Sequence, residues 1–495
     1  MPFDYILLGT AILLLLGVVA SKASGRLGVP ALVLFLALGM LAGSEGIGGI
    51  YFADAALSQS LGVVALVFIL FSGGFDTAWS QVRPVLVPSM VLATLGVLMT
   101  ALIVGLFVAY VVGVPLLVGL LLGSIVSSTD AAAVFAILRS RGVSLRGNLK
   151  SLLELESGSN DPMAIFLTTG LIGLLMGTSD SIADLVGMFL LQMVLGGAAG
   201  ALLGRLTVYL LNRVRLEYEG LYPVLTIACV LLIYGATALL GGNGFLAVYL
   251  AGLVIGNSIV IHRRSLMRFH DGLAWLMQIA MFVTLGLLVF PSRLWAVAGT
   301  GLLIAFFLMA VARPLSVFVG LLPFRFTLRK RIFIGWVGLR GSVPIVLATF
   351  PLLAGVPQAD WIFNVVFFIV LTSVLLQGST IPLVARWLHL DAPMRLRPRA
   401  PLEFEPSNSI QGEMVEIELP EGSPAVGKRL LELGLPPGAL LVLVGRGNSF
   451  LVPSGGTVLH ARDTLFLLAE PKALAEVQQR MAAAGEIAPA VQALE

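Results

Sequence analysis

The sequence predicts an all-α polytopic membrane protein followed by a small cytoplasmic α+β domain. Two observations predict the membrane part: the mean hydropathy is +1.00, and only 12% of the 495 residues are charged, against about 25% in a soluble domain. A third observation predicts the separate domain, because the long apolar runs stop near Ile381 and a charged, proline-rich stretch follows.

The apolar runs are the candidate transmembrane helices, since each is long enough to cross a hydrocarbon layer of about 30 Å. The first run follows Met-Pro-Phe-Asp, which lacks the positive residues of a cleaved signal peptide, so we interpret it as a true span. The runs predict about thirteen spans, at residues 5–20, 29–43, 61–76, 85–112, 115–138, 150–177, 184–211, 222–240, 244–260, 272–290, 296–321, 332–355 and 361–381.

The charges of the loops predict the orientation. Loops after odd-numbered spans are rich in Lys and Arg, as in the stretch from Arg139 to Lys150. The opposite loops contain Arg293 beside acidic residues such as Glu45 and Asp360. Because cytoplasmic loops carry the basic residues, we expect a multi-pass protein of the cell inner (cytoplasmic) membrane, with its N-terminus outside and its C-terminus in the cytoplasm.

The domain boundaries follow from this pattern. Residues 1–390 form the transmembrane domain, 391–410 a linker, 411–473 the cytoplasmic domain and 474–495 a C-terminal tail. The elements predicted in the cytoplasmic part are strands at Met414–Leu419, Leu440–Val444, Ser449–Val452 and Thr464–Leu468, one helix at Val426–Leu433 and a terminal helix from Lys472.

Four ionisable residues stand out by their depth in the spans, where charge is costly and marks function. Asp130 lies in span five, Glu156 and Asp161 in span six, and Arg340 in span twelve. On a helix, Ser157, Asn160 and Asp161 share one face. Pro162 cannot donate a hydrogen bond to the Gly158 carbonyl, so this face offers the oxygen ligands that hard cations prefer.

Spans five and twelve each contain an interruption. Thr129 or Asp130 can cap a half-helix that begins at Ala131, and span twelve contains Gly338, Gly341 and Pro344. The two spans are seven apart and therefore cross in opposite directions. Broken helices at corresponding positions of inverted repeats predict a transporter site at the bilayer midplane.

Glu156 lies about 140° around the helix from Asp161, which favours pairing with another charge over ion binding. We predict a structural ion pair between Glu156 and Arg340. A second candidate role for Arg340 is to neutralise the two half-helix C-termini that face each other at a crossing.

These motifs resemble the monovalent cation:proton antiporter family 1, the NhaP-type branch of the potassium/sodium-proton antiporters. The resemblance rests on Thr129-Asp130, on Glu-Ser-Gly-Ser-Asn-Asp-Pro at 156–162 and on Gly-Leu-Arg-Gly-Ser at 338–342. It implies the sodium/proton antiporter fold, with thirteen helices in inverted repeats, and a homodimer. It further implies that Asp161 is the transport carboxylate that holds the alkali cation or the proton, with Thr129, Asp130 and Ser157 around it, and that Glu156 pairs with Arg340. The Asn160-Asp161 pair is similar to that of electroneutral members.

Residues 411–473 resemble the C-terminal subdomain of regulators of potassium conductance, the TrkA-C type. The matching features are Gly427-x-x-Leu430, the turn Leu435-Pro436-Pro437-Gly438, Arg446 ahead of Phe450-Leu451-Val452-Pro453, and Asp463-Thr464-Leu465. This resemblance favours potassium and implies regulation by a small-molecule ligand.

The sequence therefore predicts a secondary active antiporter that exchanges potassium or sodium for protons by alternating access at Asp161. The main alternative is a ligand-gated monovalent cation channel, for which we find no filter loop. An intramembrane enzyme would need a nucleophile–base pair or a metal motif, and neither the single Cys229 nor the four scattered His provides one. We expect no cofactor and no nucleic-acid partner; the partners are K⁺, Na⁺, protons and membrane lipid.

Overall fold

The computed structural model describes residues 3–27, 29–177, 182–214, 216–393, 413–420, 422–447 and 449–470, together with parts of 473–481. The chain divides into two compact units, Met1–Met394 and Arg395–Glu495. Each unit has its own hydrophobic core.

The first unit is helical. Its helices are α1 Phe3–Leu27, α2 Ala31–Ala42, α3 Ala55–Asp76, α4 Trp79–Val112, α5 Leu116–Ile125, α6 Ala131–Ser140, α7 Leu149–Leu175, α8 Ile182–Arg213, α9 Leu221–Leu239, α10 Gly244–Gly256, α11 Arg263–Leu287, α12 Pro291–Gly320, α13 Leu328–Trp336, α14 Ser342–Ala354 and α15 Ala359–Trp387.

Each predicted span coincides with one helix or, for spans five and twelve, with a pair of short helices. Among the residues that the structure describes, seven helices (α1, α3, α4, α8, α9, α12 and α15) are long and apolar enough to cross a membrane individually. Several helices extend beyond the predicted spans; α11 begins at Arg263 instead of 272. An apolar run shows the part of a helix that lies in lipid, whereas the polar first turns of α11 continue the same helix beyond it. The total of thirteen crossings stays a prediction.

Two of the long helices contain wide π-helical turns. They lie at Leu92–Gly96 and Val108–Val112 in α4 and at Leu308–Ala312 in α12. The last of these ends immediately before Arg313. α4 and α12 also contact each other, and Thr100 Oγ1 donates a hydrogen bond of 3.0 Å to Ser316 Oγ.

Helices α3 and α10 pack with their backbones in contact. A methyl group at Gly252 would lie 2.5 Å from the carbonyl oxygen of Phe71, and one at Gly74 would collide with the carbonyl of Tyr249. Glycines at such positions let membrane helices approach closely. α10 is therefore held against α3 along its length.

A short antiparallel pair closes the first unit. Strand β1, Val143–Leu145, pairs with β2, Asp391–Pro393, and Val143 lies opposite Pro393. The first three residues of the predicted linker, 391–393, form this strand, and the linker bounds of 391–410 stay a prediction. The rest of the linker lies outside the described residues.

The second unit contains a four-stranded antiparallel sheet. Its strands are β3 Glu413–Glu418, β4 Ala439–Arg446, β5 Ser449–Leu451 and β6 Thr464–Ala469, in the order β3-β6-β4-β5. All four predicted strands are confirmed, with small changes at their ends.

The predicted helix at Val426–Leu433 is wrong. Only one 3₁₀ turn, Leu430–Leu433, forms there. Gly427 has a φ of +82°, and its N–H donates to the Leu459 carbonyl at 2.8 Å. These groups pair across to a neighbouring segment, so they are not free for helical bonds. The predicted terminal helix and the tail lie largely outside the described part of the chain.

Candidate functional site

The two interrupted spans cross at their unwound segments. Residues 126–130 separate α5 from α6, and residues 337–341 separate α13 from α14. The Asp130 N–H donates a hydrogen bond of 2.8 Å to the Leu339 carbonyl. Gly341 makes this approach possible, since a methyl group there would lie 2.7 Å from Asp130 Cγ and would collide with Oδ2. The prediction of two broken, crossing helices is confirmed.

Asp130 is the N-cap of α6. Its Oδ1 accepts a hydrogen bond of 3.0 Å from the Ala133 N–H, so of the two capping candidates, Thr129 and Asp130, the latter caps the half-helix. The N-terminus of a helix carries partial positive charge. The cap therefore places the Asp130 carboxylate at the positive end of the α6 dipole, next to the unwound segment.

Arg340 lies where the C-terminal ends of α5 and α13 face each other. Its Nε donates to the Val126 carbonyl at 2.8 Å, and Nη1 donates to the Gly338 carbonyl. Since helix C-termini carry partial negative charge, the guanidinium neutralises both ends. Of the two roles considered for Arg340, pairing with Glu156 and neutralising the half-helix C-termini, the structure supports the neutralising role.

Two residues missed by the sequence analysis, Ser373 and Gln377, support this arrangement. The Arg340 N–H donates to Ser373 Oγ at 3.1 Å, Ser373 donates to Gln377 Oε1 at 2.5 Å, and Gln377 Nε2 donates to the terminal carbonyl of α13, Trp336 O, at 2.8 Å. Ser373 and Gln377 are neighbours on one face of α15 at an i, i+4 spacing, but no charge marks them in the sequence.

Glu156 forms its ion pair with Arg313, not with Arg340, and this corrects the prediction. Arg313 Nη2 lies 2.5 Å from Glu156 Oε1, and the two side chains are 2% and 1% exposed. Arg340 is already committed to the half-helix carbonyls. Gly338 separates the two arginines, because a methyl group there would lie 2.7 Å from Arg340 Nη1 and 3.0 Å from Arg313 Cγ. The sequence signal that could have identified this partner is the position of Arg313, which is the single arginine in the apolar run 296–321.

Helix α7 is attached to the unwound segment through its polar face. Ser157 Oγ donates to the Thr129 carbonyl at 2.9 Å and accepts from the Ala131 N–H at 3.1 Å. Asn160 Nδ2 donates to Thr129 Oγ1 at 2.7 Å. Ser157 and Asn160 therefore hold the backbone and hydroxyl of Thr129 against α7, beside Asp161.

A cavity of about 870 Å³ reaches this site. It is lined by four of the five predicted ion-binding residues, Thr129, Asp130, Ser157 and Asp161. The fifth, Asn160, is fully buried behind the lining and orients Thr129. Asp161 is 7% exposed, and its Oδ1 has no hydrogen-bond partner among the described residues. The carboxylate is thus buried, accessible on one side and incompletely satisfied.

The outer part of the cavity carries further acidic side chains. Asp76, Glu154 and Asp271 come from α3, α7 and α11, and all three line it. Lys150 also lines this part and lies 3.6 Å from Glu154.

The second unit contains the Arg446 and Asp463 of the TrkA-C-like motif in direct contact. Arg446 donates from Nε to Asp463 Oδ1 at 2.9 Å and from Nη2 to Oδ2 at 2.7 Å. The His460 N–H donates to the same carboxylate at 2.8 Å. Burial acts to raise the pKa of Asp463, but these hydrogen bonds outweigh it and hold the pKa below its usual value.

Comparisons with known proteins agree with this geometry. The family described as sodium/hydrogen exchanger, transmembrane, matches residues 10–387, and the TrkA-C domain matches residues 414–482. The K(+)/H(+) antiporter NhaP of Alkalimonas amylolytica is 42% identical over 475 residues, which are 96% of this chain and 82% of that protein. The K(+)/H(+) antiporter NhaP2 of Shewanella sp. (strain ANA-3) is 43% identical, with 95% and 82% covered.

A solved structure gives the same fold. The sodium proton antiporter MjNhaP1 from Methanocaldococcus jannaschii superposes with a TM-score of 0.68 at 27% identity, covering 78% of this chain and 99% of that one. Exchange, as opposed to channel conduction or enzyme catalysis, is the activity of this class. The chain belongs to the sodium/hydrogen exchanger family and is a multi-pass membrane antiporter with a TrkA-C domain at its C-terminal end.

Proposed function

We propose that this antiporter exchanges K⁺ for H⁺ at Asp161, with one cation exchanged for each proton. The observation that carries the proposal is the state of Asp161: a buried carboxylate with an unsatisfied oxygen at the inner end of the cavity. Such a group needs either a proton or a cation, because an isolated charge in a low-dielectric site is strongly disfavoured.

The same oxygen serves both ions, so the two compete. Asp161 releases its proton to one side, takes a cation from that side, and crosses only when one of the two neutralises it. Thr129 and Ser157 supply neutral oxygens beside it, and such oxygen donors suit a hard alkali cation. Competition for one carboxylate couples the two fluxes without further machinery. Asn160 adds no second charge next to Asp161, which supports electroneutral exchange.

The crossing supports alternation at a fixed site. Arg340 neutralises the C-terminal ends of α5 and α13, and Asp130 caps α6. The unwound segments therefore need no water to satisfy their charged ends. They can move past neighbouring helices as one piece while the ion stays bound.

The potassium assignment rests on relatives with more than 40% identity, among them the two described above, which are named K(+)/H(+) antiporters. Sodium remains the second candidate, because the superposed structure is that of a sodium proton antiporter. The TrkA-C domain also favours potassium.

We further propose the inner membrane, an external N-terminus and a homodimer. The basic residues Arg139 and Lys150 are exposed and line the cavity, which supports a cavity that opens to the cytoplasm in this orientation. The TrkA-C domain regulates exchange by binding a small ligand in the cytoplasm.

The test is exchange in proteoliposomes that contain a pH-sensitive dye. Outward gradients of K⁺ or Na⁺ should drive proton uptake in the wild-type protein. Setting the membrane voltage with valinomycin should leave the rate of this uptake unchanged. Asp161→Asn keeps the shape of the side chain but can neither release a proton nor balance a cation, so it should insert normally and exchange nothing at any pH.

The matched control is Asp360→Asn, which changes an exposed acid in the first turn of α15 and should retain wild-type rates. Cation-driven proton flux in Asp161→Asn would move the site elsewhere, with Asp130 the first residue to examine. A rate that changes with voltage would remove the one-for-one count and leave the site in place.

A further inference from the structure

Tyr249 carries a polar group that the mechanism above does not use. The residue lies on α10 and is 2% exposed. Its hydroxyl interacts with the Thr77 side chain but makes no hydrogen bond of normal geometry to any residue the structure describes. Buried tyrosine hydroxyls usually find a partner, because burial removes their bonds to water. An unsatisfied phenol that also lines the cavity indicates a ligand that is not part of the protein.

The phenol lies against the helix that carries the transport carboxylate. A methyl group at Gly158 would lie 2.5 Å from Tyr249 Cζ and 2.9 Å from its hydroxyl oxygen. Glycine at this position is therefore what admits the ring. The contact joins α10 to α7 at the polar face described above.

Gly158 places the phenol on the way to Asp161. Glu154, Gly158 and Asp161 follow one another at i, i+4 and i+7 on one stripe of α7, and all three line the cavity. Glu154 lies toward the mouth, paired with Lys150. At 1.5 Å per residue, Gly158 precedes Asp161 by about 4.5 Å along the helix. An ion moving from Glu154 to Asp161 passes the tyrosine hydroxyl.

The ring is supported from behind. The carbonyl of Tyr249 packs directly on Gly74 of α3. The next turn of α10 also packs on α3, because a methyl group added at Gly252 would lie 2.5 Å from the Phe71 carbonyl oxygen. With α3 and α10 in backbone contact, the phenolic oxygen has a defined position relative to Asp161. A fixed neutral oxygen discriminates between ions of different radius better than mobile water does.

We propose that Tyr249 is a specificity-determining residue: its phenolic oxygen replaces one water ligand of the cation as the ion moves to Asp161. This inference rests on the proposed function and deepens it. Coordinating oxygens select among alkali cations by their number, field and spacing. Tyr249 therefore sets the cation KM and the ratio of K⁺ to Na⁺ affinity, whereas Asp161 sets whether exchange occurs.

The test is Tyr249→Phe in the full-length protein, reconstituted in proteoliposomes. The variant removes only the hydroxyl, whose interaction with the Thr77 side chain falls outside normal hydrogen-bond geometry. We expect the KM for the preferred cation to rise at least threefold, the ratio of KM for Na⁺ to KM for K⁺ to change by a similar factor, and kcat to stay within about twofold. A role in packing alone would not change the ratio between two ions.

The matched control is Tyr234→Phe, which removes a partly buried phenol on α9 that packs on Phe245 and does not line the cavity; its KM values should equal those of the wild type. A second readout needs no transport: the K⁺ concentration that half-maximally raises the melting temperature in detergent should increase at least threefold in Tyr249→Phe.

Unchanged KM values in Tyr249→Phe, or an unchanged half-maximal K⁺ concentration, would overturn the role of Tyr249. The proposed function would still stand in that case, provided that the wild-type protein exchanges cations for protons. Absence of cation-driven proton flux in the wild type would overturn both.

Discussion

The ion pair between Glu156 and Arg313 allows a quantitative prediction. Both side chains are almost fully buried, and Nη2 and Oε1 are 2.5 Å apart. Breaking a buried pair by removing one partner costs about 3–5 kcal/mol, because the other charge stays buried without compensation. We expect Arg313→Met, which keeps most of the side-chain volume, to lose stability on this scale.

The pair should show strong coupling in a double-mutant cycle. Glu156→Gln together with Arg313→Met leaves no unpaired charge, so the double variant should be more stable than the sum of the two single changes by about 2–3 kcal/mol. Glu156→Gln with Arg340→Met should couple more weakly, since Arg340 bonds mainly to the Val126 and Gly338 carbonyls.

The assay is reversible unfolding in mixed micelles, followed by tryptophan fluorescence. Additive losses in the Glu156 and Arg313 cycle would refute the pairing. A larger coupling between Glu156 and Arg340 than between Glu156 and Arg313 would restore the partner predicted from the sequence.

Three further predictions concern the crossing and the second unit. Gly341→Ala should lower exchange at least tenfold at normal membrane insertion, since the added methyl collides with Asp130, whereas Gly235→Ala on α9, with no atom within 4 Å, should exchange normally; equal rates would contradict the contact. Asp463 has a folded pKa below its unfolded value of about 3.9, so its contribution to stability is present above that value and is lost as the pH falls through the folded pKa. Calorimetry of the full-length protein should show this loss in the wild type but not in Asp463→Asn, and identical profiles would contradict it. A chain ending at residue 400 should still exchange ions with a changed rate or pH set-point; complete loss of exchange in a truncated protein that inserts normally would contradict a purely regulatory TrkA-C domain.

Much of the membrane fold was predictable because lipid imposes a simple rule on the sequence. The apolar runs located the helices of the first unit, and Thr129-Asp130 together with Gly338, Gly341 and Pro344 indicated the interruptions. The ends of helices such as α11 were less predictable, because a helix continues into water without an apolar signal.

The candidate site was predictable where chemistry is local. Ser157, Asn160 and Asp161 share a helix face, and spacing alone shows this. The partner of Glu156 depends on which arginine a distant helix presents, and no pattern near either residue determines that. Tyr249 was missed for a similar reason, since a tyrosine in an apolar run carries no charge to mark it.

The wide turn at Leu308–Ala312 means that residue identity alone does not place Arg313. A π-helical turn holds one residue more than an α-helical turn, and each residue advances a helix by about 100°. Loss of one residue from this turn would rotate Arg313 by about that angle relative to the earlier part of α12. A homologue with such a deletion would keep every motif letter and still point its arginine away from Glu156. Helical phase must therefore be compared along with motifs when the site is traced through the family.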